Sequence, residues 1–217
     1  MPSLTVENYV KTIFQICASA GGQPAATGQL AVALGVSPGS VTSMLKTLSE
    51  SNLATYMPYE GVQLTAAGNA LALRVVRRHR LIELFLVRTL DLTWDEVHEE
   101  AEHMEHAVSD WLVDRIDAYL GHPSNDPHGD PIPKADGTVA AGPDRVLSDC
   151  AAGKRFRLAR VTDQSPEFLR YLSQTGLEIG TEVALVANET NRESVTIQLA
   201  GKEKKLSREA AGKLMVR

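Results

Sequence analysis

Apolar residues recur every three to four positions through the first part of the chain, which is the spacing of helices with one buried face. This pattern covers residues 5–18 and predicts a first helix that ends at a pair of glycines. A shorter helix is predicted over 28–34 with Thr27 as its cap, and a third begins at Pro38. Two short apolar runs within 53–64 predict a hairpin, so three helices and a wing-like hairpin are expected in this region.

Two longer helices are predicted next, because the helical periodicity continues after Thr65. The first covers roughly 66–90. The second runs from Thr93 to about residue 120, behind a capping box formed by Thr93 and Glu96. Its apolar residues are expected to form one core stripe, made up of Val97, Ala101, Met104, Val108, Trp111 and Leu112.

Residues 121–153 interrupt this pattern with five prolines and five glycines, which predicts a linker. Beyond it, alternation and β-branched residues predict several strands, and one short helix is expected among them. The strands are 155–161, 182–186 and 194–199, and the helix is 166–174. The predicted fold class is α+β, with domains over 1–64, 65–121 and 154–217 and the linker over 122–153.

The composition is that of an ordinary globular protein, with 43% hydrophobic and 23% charged residues in a chain of 217. A net charge of −5 argues against a protein that coats nucleic acid without regard to sequence. No apolar run reaches the ~18–20 residues that span a bilayer, and the amino terminus lacks the features of a signal peptide. Cys17 and Cys150 have no metal or redox spacing, so we expect a reducing, cytoplasmic location and no membrane partner.

The spacing of Ala31, Gly35 and Val41 is that of a helix-turn-helix, with a small residue at the crossing, a glycine in the turn and an apolar residue in the core. Short hydroxyl side chains at the start of the third helix can approach phosphates and base edges. The alternative is a small helical core used for dimerisation, since this segment is not basic and the four arginines between residues 74 and 80 would have to supply phosphate contacts. The predicted DNA-binding residues are Thr27, Ser37, Pro38, Ser40, Thr42, Ser43 and Lys46.

Acidic residues concentrate between residues 65 and 121, where eleven acidic side chains accompany six basic ones. Histidines and carboxylates group along the edges of the two long predicted helices, a combination that suits a divalent first-row metal. The alternative is a solvated polar face that binds nothing. The candidate ligands are His98, Glu102, Glu105 and His106 on the second helix and His79 and Glu83 on the first.

An enzyme is not expected. The run from His98 to Glu102 approaches the HExxH motif of zinc proteases, but its last position is Glu where a second His is required. No nucleophile and base can be recognised together in any local segment.

Several of these segments together resemble the diphtheria-toxin-repressor family of metal-dependent bacterial regulators. The resemblance covers nearly the whole chain and is carried by 7–14 (ENYVKTIF), 35–48, 64–68, 78–83 (RHRLIE), 98–106 (HEEAEHMEH) and 127–133. It implies a winged helix-turn-helix, a helical dimerisation and metal-binding domain and, from about residue 154, a small FeoA-like β-barrel. It also implies a homodimer that binds palindromic operator DNA when metal is bound and represses metal-uptake genes, without a small-molecule substrate.

The resemblance also implies two metal sites, carried over by position. The activating site is expected to use Asn8, Glu102, Glu105 and His106. The ancillary site is expected to use His79, Glu83 and His98, with Gln164 and Glu167 contributed by the barrel.

Two departures from the family pattern bear on the metal. Glu102 stands where iron-responsive members carry Cys, and a carboxylate in place of a thiolate moves the preference towards Mn(II). Lys11 stands where a binuclear manganese-type regulator carries a Glu ligand, so a binuclear arrangement is not expected. Mn(II) is the expected cofactor and Fe(II) the alternative, with other divalent first-row metals active in vitro. An iron-responsive regulator of the same family and a metal-buffering protein that does not bind DNA are the alternative functions.

Overall fold

The structure is a computed structural model of the chain and describes residues 3–143, 145–188 and 193–217. Contacts between Cα atoms divide it into two compact units. Unit 1 holds the described residues up to His79, together with Glu105–Val108 and Pro133–Thr138. Unit 2 holds Arg80–Met104, Ser109–Ile132 and the described residues from Val139 onward. Among the described residues, no helix has the length and apolar character that crossing a membrane requires.

Unit 1 begins with the three helices and the hairpin that the apolar spacing predicts. Ser37 caps α3 as predicted, by accepting from a backbone N–H three residues on, and Pro38 lies in the first turn. The prediction that Thr27 caps α2 is wrong, because Thr27 is the first residue of the helix. Ala26 occupies the capping position, and its backbone N–H donates to the side chain of Gln29. The elements are α1 Leu4–Ser19, α2 Thr27–Leu34, α3 Pro38–Glu50 and the antiparallel strands β1 Ala54–Met57 and β2 Gly61–Leu64.

The core of unit 1 lies between the inner faces of these elements. Val10 of α1, Val41 of α3 and Val62 of β2 are completely buried. Gly35 ends α2 with a φ of +64°, a left-handed conformation that glycine adopts without strain. The resulting turn leaves the opposite face of α3, beginning at Ser37, exposed to solvent.

The helical region holds three helices where the sequence predicts two. Helix α4 covers Ala66–Leu90, close to the predicted bounds, and Thr65 caps it by accepting from a backbone N–H of its first turn. The second predicted helix is broken into α5, Val97–Met104, and α6, Asp110–Tyr119. Ser109 provides the local reason, because its side chain caps the first turn of α6.

The break changes which residues form the buried stripe. Val97 and Ala101 of α5 are completely buried, as predicted. On α6 the prediction is wrong, since Trp111 and Leu112 are exposed and Val113 takes the inner position. A helix that restarts after an interruption does not continue the phase of the helix before it, so a stripe extrapolated across the break selects the wrong face.

The last part of unit 2 is a six-stranded antiparallel sheet, in the order β3-β8-β4-β5-β6-β7, which agrees with the predicted small barrel. Alternation predicts β4, β5 and β6 closely. It does not predict β7, whose charged sequence KEKKLS buries only Leu206. The elements are β3 Arg145–Val146, β4 Arg155–Val161, α7 Pro166–Thr175, β5 Glu182–Ala187, β6 Ser194–Leu199, β7 Lys202–Ser207, α8 Arg208–Gly212 and β8 Leu214–Val216.

The segment predicted as a linker contains a folded loop. Oδ1 of Asp126 accepts from the backbone N–H groups of His128 and Asp130, over 2.8 and 2.9 Å. All three of these residues are buried. Gly129 has a φ of +87°, and a Cβ there would lie 2.1 Å from the carbonyl oxygen of Ala159 in β4. This part of the segment is therefore a tight turn packed directly against a strand, and only glycine fits at its centre.

Candidate metal centres and nucleic-acid interface

Unit 1 places a fully buried carboxylate, that of Glu105, next to cationic and imidazole groups. Lys11 on α1 donates to both of its oxygens, over 2.9 and 2.8 Å. Nδ1 of His79 on α4 lies 2.6 Å from Oε2 of the same carboxylate. Glu105 comes directly after the last residue of α5, so it does not continue the helical arc on which the sequence places it. Burial of this charge is tolerable because it is paired and hydrogen-bonded.

A second carboxylate, Glu7, contacts the residue that follows Glu105. Oε2 of Glu7 lies 2.7 Å from Nδ1 of His106, and Oε1 lies 3.4 Å from Arg78. Because a carboxylate accepts, Nδ1 carries the hydrogen and Nε2 of the neutral ring keeps a lone pair. Nε2 lies 3.2 Å from Oε1 of Glu105 and has no hydrogen-bond partner in the described part of the chain, although it is buried. Two lone-pair atoms that close together favour a cation between or beside them.

Asn8 and Glu102, the other predicted ligands of the activating site, differ in their surroundings. Oδ1 of Asn8 is buried and makes no hydrogen bond to any described residue. Glu102 belongs to unit 2, where its half-buried side chain lies 3.8 Å from Nε2 of His98. Unit 1 therefore brings together Glu105 and His106, while ligation by Asn8 and Glu102 remains a prediction.

Unit 2 contains a more enclosed cluster, formed by Glu83 of α4 with Asp126 and His128 of the loop. All three residues are buried, and their ligand atoms lie within 4.8 Å of one another. Nε2 of His128 lies 2.7 Å from the carbonyl oxygen of Trp94 and so carries the hydrogen. Nδ1 lies 3.7 Å from Oε2 of Glu83 and is without a hydrogen-bond partner among the residues described. A histidine that ligates a metal commonly donates its other ring N–H to a backbone carbonyl, as Nε2 of His128 does here.

The charge around this cluster is unbalanced. Arg80 contacts Asp126 and Asp130, and Arg160 also contacts Asp130, but these two guanidinium groups accompany three carboxylates once Glu83 is counted. Burial raises the pKa of Asp126 to about 7, and the charges of Asp130 and Glu83 add to the effect. Burial lowers the pKa of His128, but the neighbouring carboxylates of Glu83 and Asp126 outweigh it and the net shift is upward, so a protonated His128 would balance the third carboxylate. A metal cation in the cluster would take the place of that proton.

The predicted ancillary ligands on the helices fall in different units. Nδ1 of His98 lies 3.4 Å from Oε1 of Glu83, and the imidazole is about half exposed. His79 belongs to unit 1, where it contacts Glu105. Unit 2 thus brings the side chains of Glu83 and His98 into contact. An ancillary metal site that also includes His79 remains a prediction.

The two barrel residues predicted as ancillary ligands lie apart from each other. Gln164 donates to Oδ2 of Asp130 over 2.7 Å, so it lies one contact away from the Glu83 cluster. Glu167 is 82% exposed and lies 3.6 Å from Arg170 in the first turn of α7. The structure brings neither oxygen of Glu167 to the buried cluster.

Sequence reasoning misses Asp126 and His128, although 127–133 contributes to the family resemblance. The signal is an Asp-x-His pair directly before a glycine, in a segment whose prolines and glycines indicate turns. It also misses Glu7 as a contact of His106. The signal there is a pair of charges, Glu7 and Lys11, four residues apart on the helix face that carries Val10.

Three of the four arginines expected to supply phosphate contacts are used inside the protein. Arg77 donates to a backbone carbonyl over 2.9 Å, Arg78 contacts Glu7, and Arg80 contacts Asp126. Only Arg74 is exposed. The interpretation of this group as a phosphate-binding patch is therefore wrong for Arg77, Arg78 and Arg80, because each serves an internal acceptor.

The predicted DNA-binding residues lie along the exposed part of α3 and beside the wing. A groove of about 590 Å³ separates the two, with Thr27, Thr42 and Lys46 on one side and Tyr59 at the tip of the wing on the other. The groove offers a ligand the ammonium group of Lys46 and several hydroxyl groups, and the carboxylate of Glu60 also lines it. DNA contact remains a prediction for Ser37, Pro38, Ser40 and Ser43. The structure gives Ser37 another role, as the cap of α3.

We expect Ser37→Ala to lower the free energy of unfolding by about 1 kcal/mol, because it removes the side-chain cap of α3. Ser43→Ala is the matched control, since Ser43 is exposed in the middle of the same helix, and its effect is expected to stay within about 0.5 kcal/mol. Urea unfolding of both variants measures the difference. Equal losses would contradict the capping role.

Models of three protein families match successive segments of the chain. Residues 1–62 match the N-terminal DNA-binding domain of iron-dependent repressors, and residues 65–134 match their metal-binding and dimerisation domain. Residues 145–217 match the FeoA domain. The matched segments thus include the helix-turn-helix, both side-chain clusters and the six-stranded sheet.

Known proteins with the same organisation are similar over most of their length. The diphtheria toxin repressor of Corynebacterium efficiens is 30% identical over 205 residues, which are 88% of this chain and 86% of that protein. The iron-dependent repressor IdeR of Mycobacterium leprae is 32% identical over 75% of this chain and 68% of its own. A manganese-dependent transcriptional repressor solved in complex with manganese is 38% identical, with a TM-score of 0.85 over 97% of this chain and 98% of that chain.

Proposed function

The chain belongs to the iron-dependent repressor family, which includes the diphtheria toxin repressors, and from this premise we propose that it represses transcription as a homodimer on operator DNA when divalent cations occupy its buried clusters. Family membership makes it a metal-dependent, DNA-binding transcriptional repressor and not an enzyme. The observation that carries the finer proposal is the buried, negatively charged cluster of Glu83, Asp126 and His128.

We assign DNA binding to residues 1–64 and dimerisation to 65–121. The loop within 122–153 contributes metal ligands to the helical region, and the FeoA-like barrel, expected over 154–217 from the sequence, also includes β3 at Arg145–Val146. The operator is expected to be palindromic, because a two-fold dimer presents two copies of α3 to successive major grooves ~34 Å apart.

The residues of the Glu83 cluster fit a divalent cation. Two carboxylates buried within reach of each other are unfavourable without a counter-charge, as the raised pKa of Asp126 indicates. Nδ1 of His128 lies 3.7 Å from Oε2 of Glu83 and can ligate a metal when it carries no proton, and the hydrogen bond to Trp94 holds the ring in place. A cation held there would take over the positive charge that a protonated His128 supplies in its absence. We therefore assign Glu83, Asp126 and His128 as ligands, with His98 beside them.

The residues of unit 1 fit a cation less simply. Nε2 of His106 and Oδ1 of Asn8 are buried atoms that lack hydrogen-bond partners in the described chain, as ligand atoms of a metal-free site would. Glu105, however, already has the ammonium group of Lys11 on both oxygens. We propose Asn8, Glu105 and His106 as a second metal position in which a cation has to compete with Lys11; Glu102 stays a ligand that only the family resemblance implies.

Oxygen and imidazole ligands accommodate Mn(II) at both clusters, whereas a thiolate ligand would favour softer ions. Both cysteines lie elsewhere: Cys17 contacts the carbonyl of Val62, and Cys150 that of Val146. We propose Mn(II) as the physiological cofactor. Iron(II) is the second candidate, because the same ligand types bind it and the similar IdeR proteins are iron-dependent repressors by name.

The packing of unit 1 suggests how metal binding fixes the position of α3, the helix expected to read the DNA. Asn8 precedes Tyr9 and Val10, which lie in the same core as Val41 and Leu45 of α3. Ligation by Asn8 would hold α1 in one position and, through this core, α3 as well. Metal then favours the DNA-competent conformer because it binds that conformer more tightly.

Fluorescence anisotropy of duplex DNA tests this function. Duplexes are first selected from a random pool with the protein and Mn(II), and binding is then measured with chelator, Mn(II), Fe(II) and Zn(II). We expect tight binding with Mn(II) and its loss with chelator. Selected DNA that binds equally well in chelator would contradict a metal-dependent repressor, and a pool that yields no sequence would contradict operator recognition.

We expect Glu102→Cys to raise the response to Fe(II) relative to Mn(II), because a thiolate is a softer ligand than a carboxylate. Anaerobic titrations of DNA binding with each metal measure the ratio of the two activation midpoints. Glu100→Cys is the matched control, since it places a thiol at an exposed position of the same helix. An unchanged ratio in Glu102→Cys would exclude Glu102 from the metal site.

A further inference from the structure

Lys11 is only 4% exposed, although it is a lysine in the first helix of the chain. It lies one turn after Glu7 and directly follows Val10, which is completely buried. A lysine buried among apolar neighbours requires an anionic partner. Its role therefore has to be sought in the groups around its ammonium nitrogen.

The ammonium group of Lys11 holds the Glu105 carboxylate symmetrically. Nζ lies 2.9 Å from one oxygen and 2.8 Å from the other, and 3.2 Å from Nδ1 of His79. Both oxygens of Glu105 are thus engaged by one positive charge that is covalently part of the protein. This is the position that a divalent cation would take with respect to the same carboxylate.

We propose that Lys11 is a built-in cation that competes with the divalent metal for Glu105 and thereby sets a threshold for filling the unit 1 position. The inference rests on the proposed function, because it concerns the metal position of Asn8, Glu105 and His106. A cation that ligates Glu105 meets the positive charge of Lys11 at short range, so Nζ has to leave the carboxylate or tolerate the repulsion. Either way the metal binds more weakly than it would without this charge.

The two clusters then fill in order. In unit 2 the guanidinium group of Arg80 contacts the ligand Asp126 at 3.5 Å, which is longer than the 2.8 Å contact of Lys11 with Glu105. In unit 1 the carboxylate that has to bind the metal carries its own ammonium group. The Glu83 cluster is therefore the tighter site, and the Glu105 position fills only at higher metal concentration.

Mn(II) binding to the full chain, without DNA, tests the inference. The electron paramagnetic resonance signal of free Mn(II) gives the number and affinity of the sites. We expect the wild-type protein to show a tight and a weaker class. Lys11→Met should tighten the weaker class about tenfold or more, because it removes one unit of charge from a buried contact, and it should leave the tight class unchanged. Lys11→Arg is the matched control, keeps the charge and should behave as the wild type.

The outcomes separate failure of the inference from failure of the proposed function. A weaker class that is unchanged in Lys11→Met, or two equally tight classes in the wild type, would overturn the role of Lys11 and leave the metal-dependent function standing. A wild-type protein that binds no Mn(II) would overturn both. Glu105→Gln in the Lys11→Met background should remove the tightened class, and its persistence would assign that class to other residues and overturn the inference.

A measurement on the wild-type protein avoids any dependence on the folding of the variants. Acetylation of lysines with an amine-reactive reagent is followed by mass spectrometry as Mn(II) is added. The rate at Lys11 is expected to rise at the concentrations that fill the weaker class, because Nζ is then displaced from Glu105. Lys46, which is exposed, provides the internal control with a constant rate. A rate at Lys11 that does not change as the weaker class fills would overturn the inference.

Discussion

Glu105→Leu is expected to lower the stability of the metal-free protein by about 3–5 kcal/mol, because it removes the buried carboxylate whose two oxygens accept from the ammonium group of Lys11. A buried charge that has lost its partner is more unfavourable than the loss of the pair as a whole. The double variant Lys11→Met, Glu105→Leu should therefore recover most of the loss. Urea unfolding in the presence of chelator gives the four free energies of this cycle.

The matched control for this cycle is the exposed pair Arg157 and Glu182 on β4 and β5, at 2.9 Å. Both of its side chains are about two-thirds exposed, so removal of either residue should change the free energy of unfolding by less than about 1 kcal/mol. Additive losses in the Lys11 and Glu105 cycle, with no recovery in the double variant, would contradict the coupling of these two charges.

His128→Gln is expected to raise the Mn(II) concentration needed for DNA binding by about 100-fold or more. The imidazole supplies the lone pair that faces Glu83, and loss even of a group that only orients a ligand typically weakens metal binding 10–100-fold. Titration of DNA binding with Mn(II) in fluorescence anisotropy measures the midpoint.

His122→Gln is the matched control for His128→Gln. His122 lies six residues earlier, and its imidazole is 74% exposed beside Asp117. Its replacement should leave the midpoint unchanged. If His128→Gln responded to Mn(II) at the wild-type concentration, DNA binding would not require metal in the Glu83 cluster.

The sequence predicts those elements whose cause is local. The cap at Ser37 and the glycine at 35 define α3 and the turn before it, and the structure confirms both. The alternation over Arg155–Val161 predicts β4 for the same reason, because every second side chain enters the core of the barrel. In each case the determining residues lie within a few positions of the element.

The break between α5 and α6 could not be predicted from periodicity, because its main determinants lie far away in the sequence. Glu105 and His106 leave the helical path where they contact Lys11 and Glu7, almost one hundred residues earlier. The local signal, a capping serine at position 109, is weak because serine also occurs inside helices. The buried charge pairs add a tertiary reason for the interruption.

The Glu83 cluster shows the same limit for the candidate site. Glu83 could be selected from its spacing to His79 on α4, but Asp126 and His128 lie in a segment whose composition indicates only turns. Their burial follows from the close approach of Gly129 to β4, which is a contact between distant parts of the chain. Residue type and spacing can indicate that a metal is bound, whereas the choice of ligands depends on such contacts.

Anomalous diffraction from crystals grown with Mn(II), with data collected on both sides of the manganese absorption edge, tests the central claim most directly. We predict a manganese peak within bonding distance of Glu83, Asp126 and His128. Manganese peaks found only at other positions, in a protein that is saturated and binds its DNA, would contradict the assignment of this cluster as a metal site.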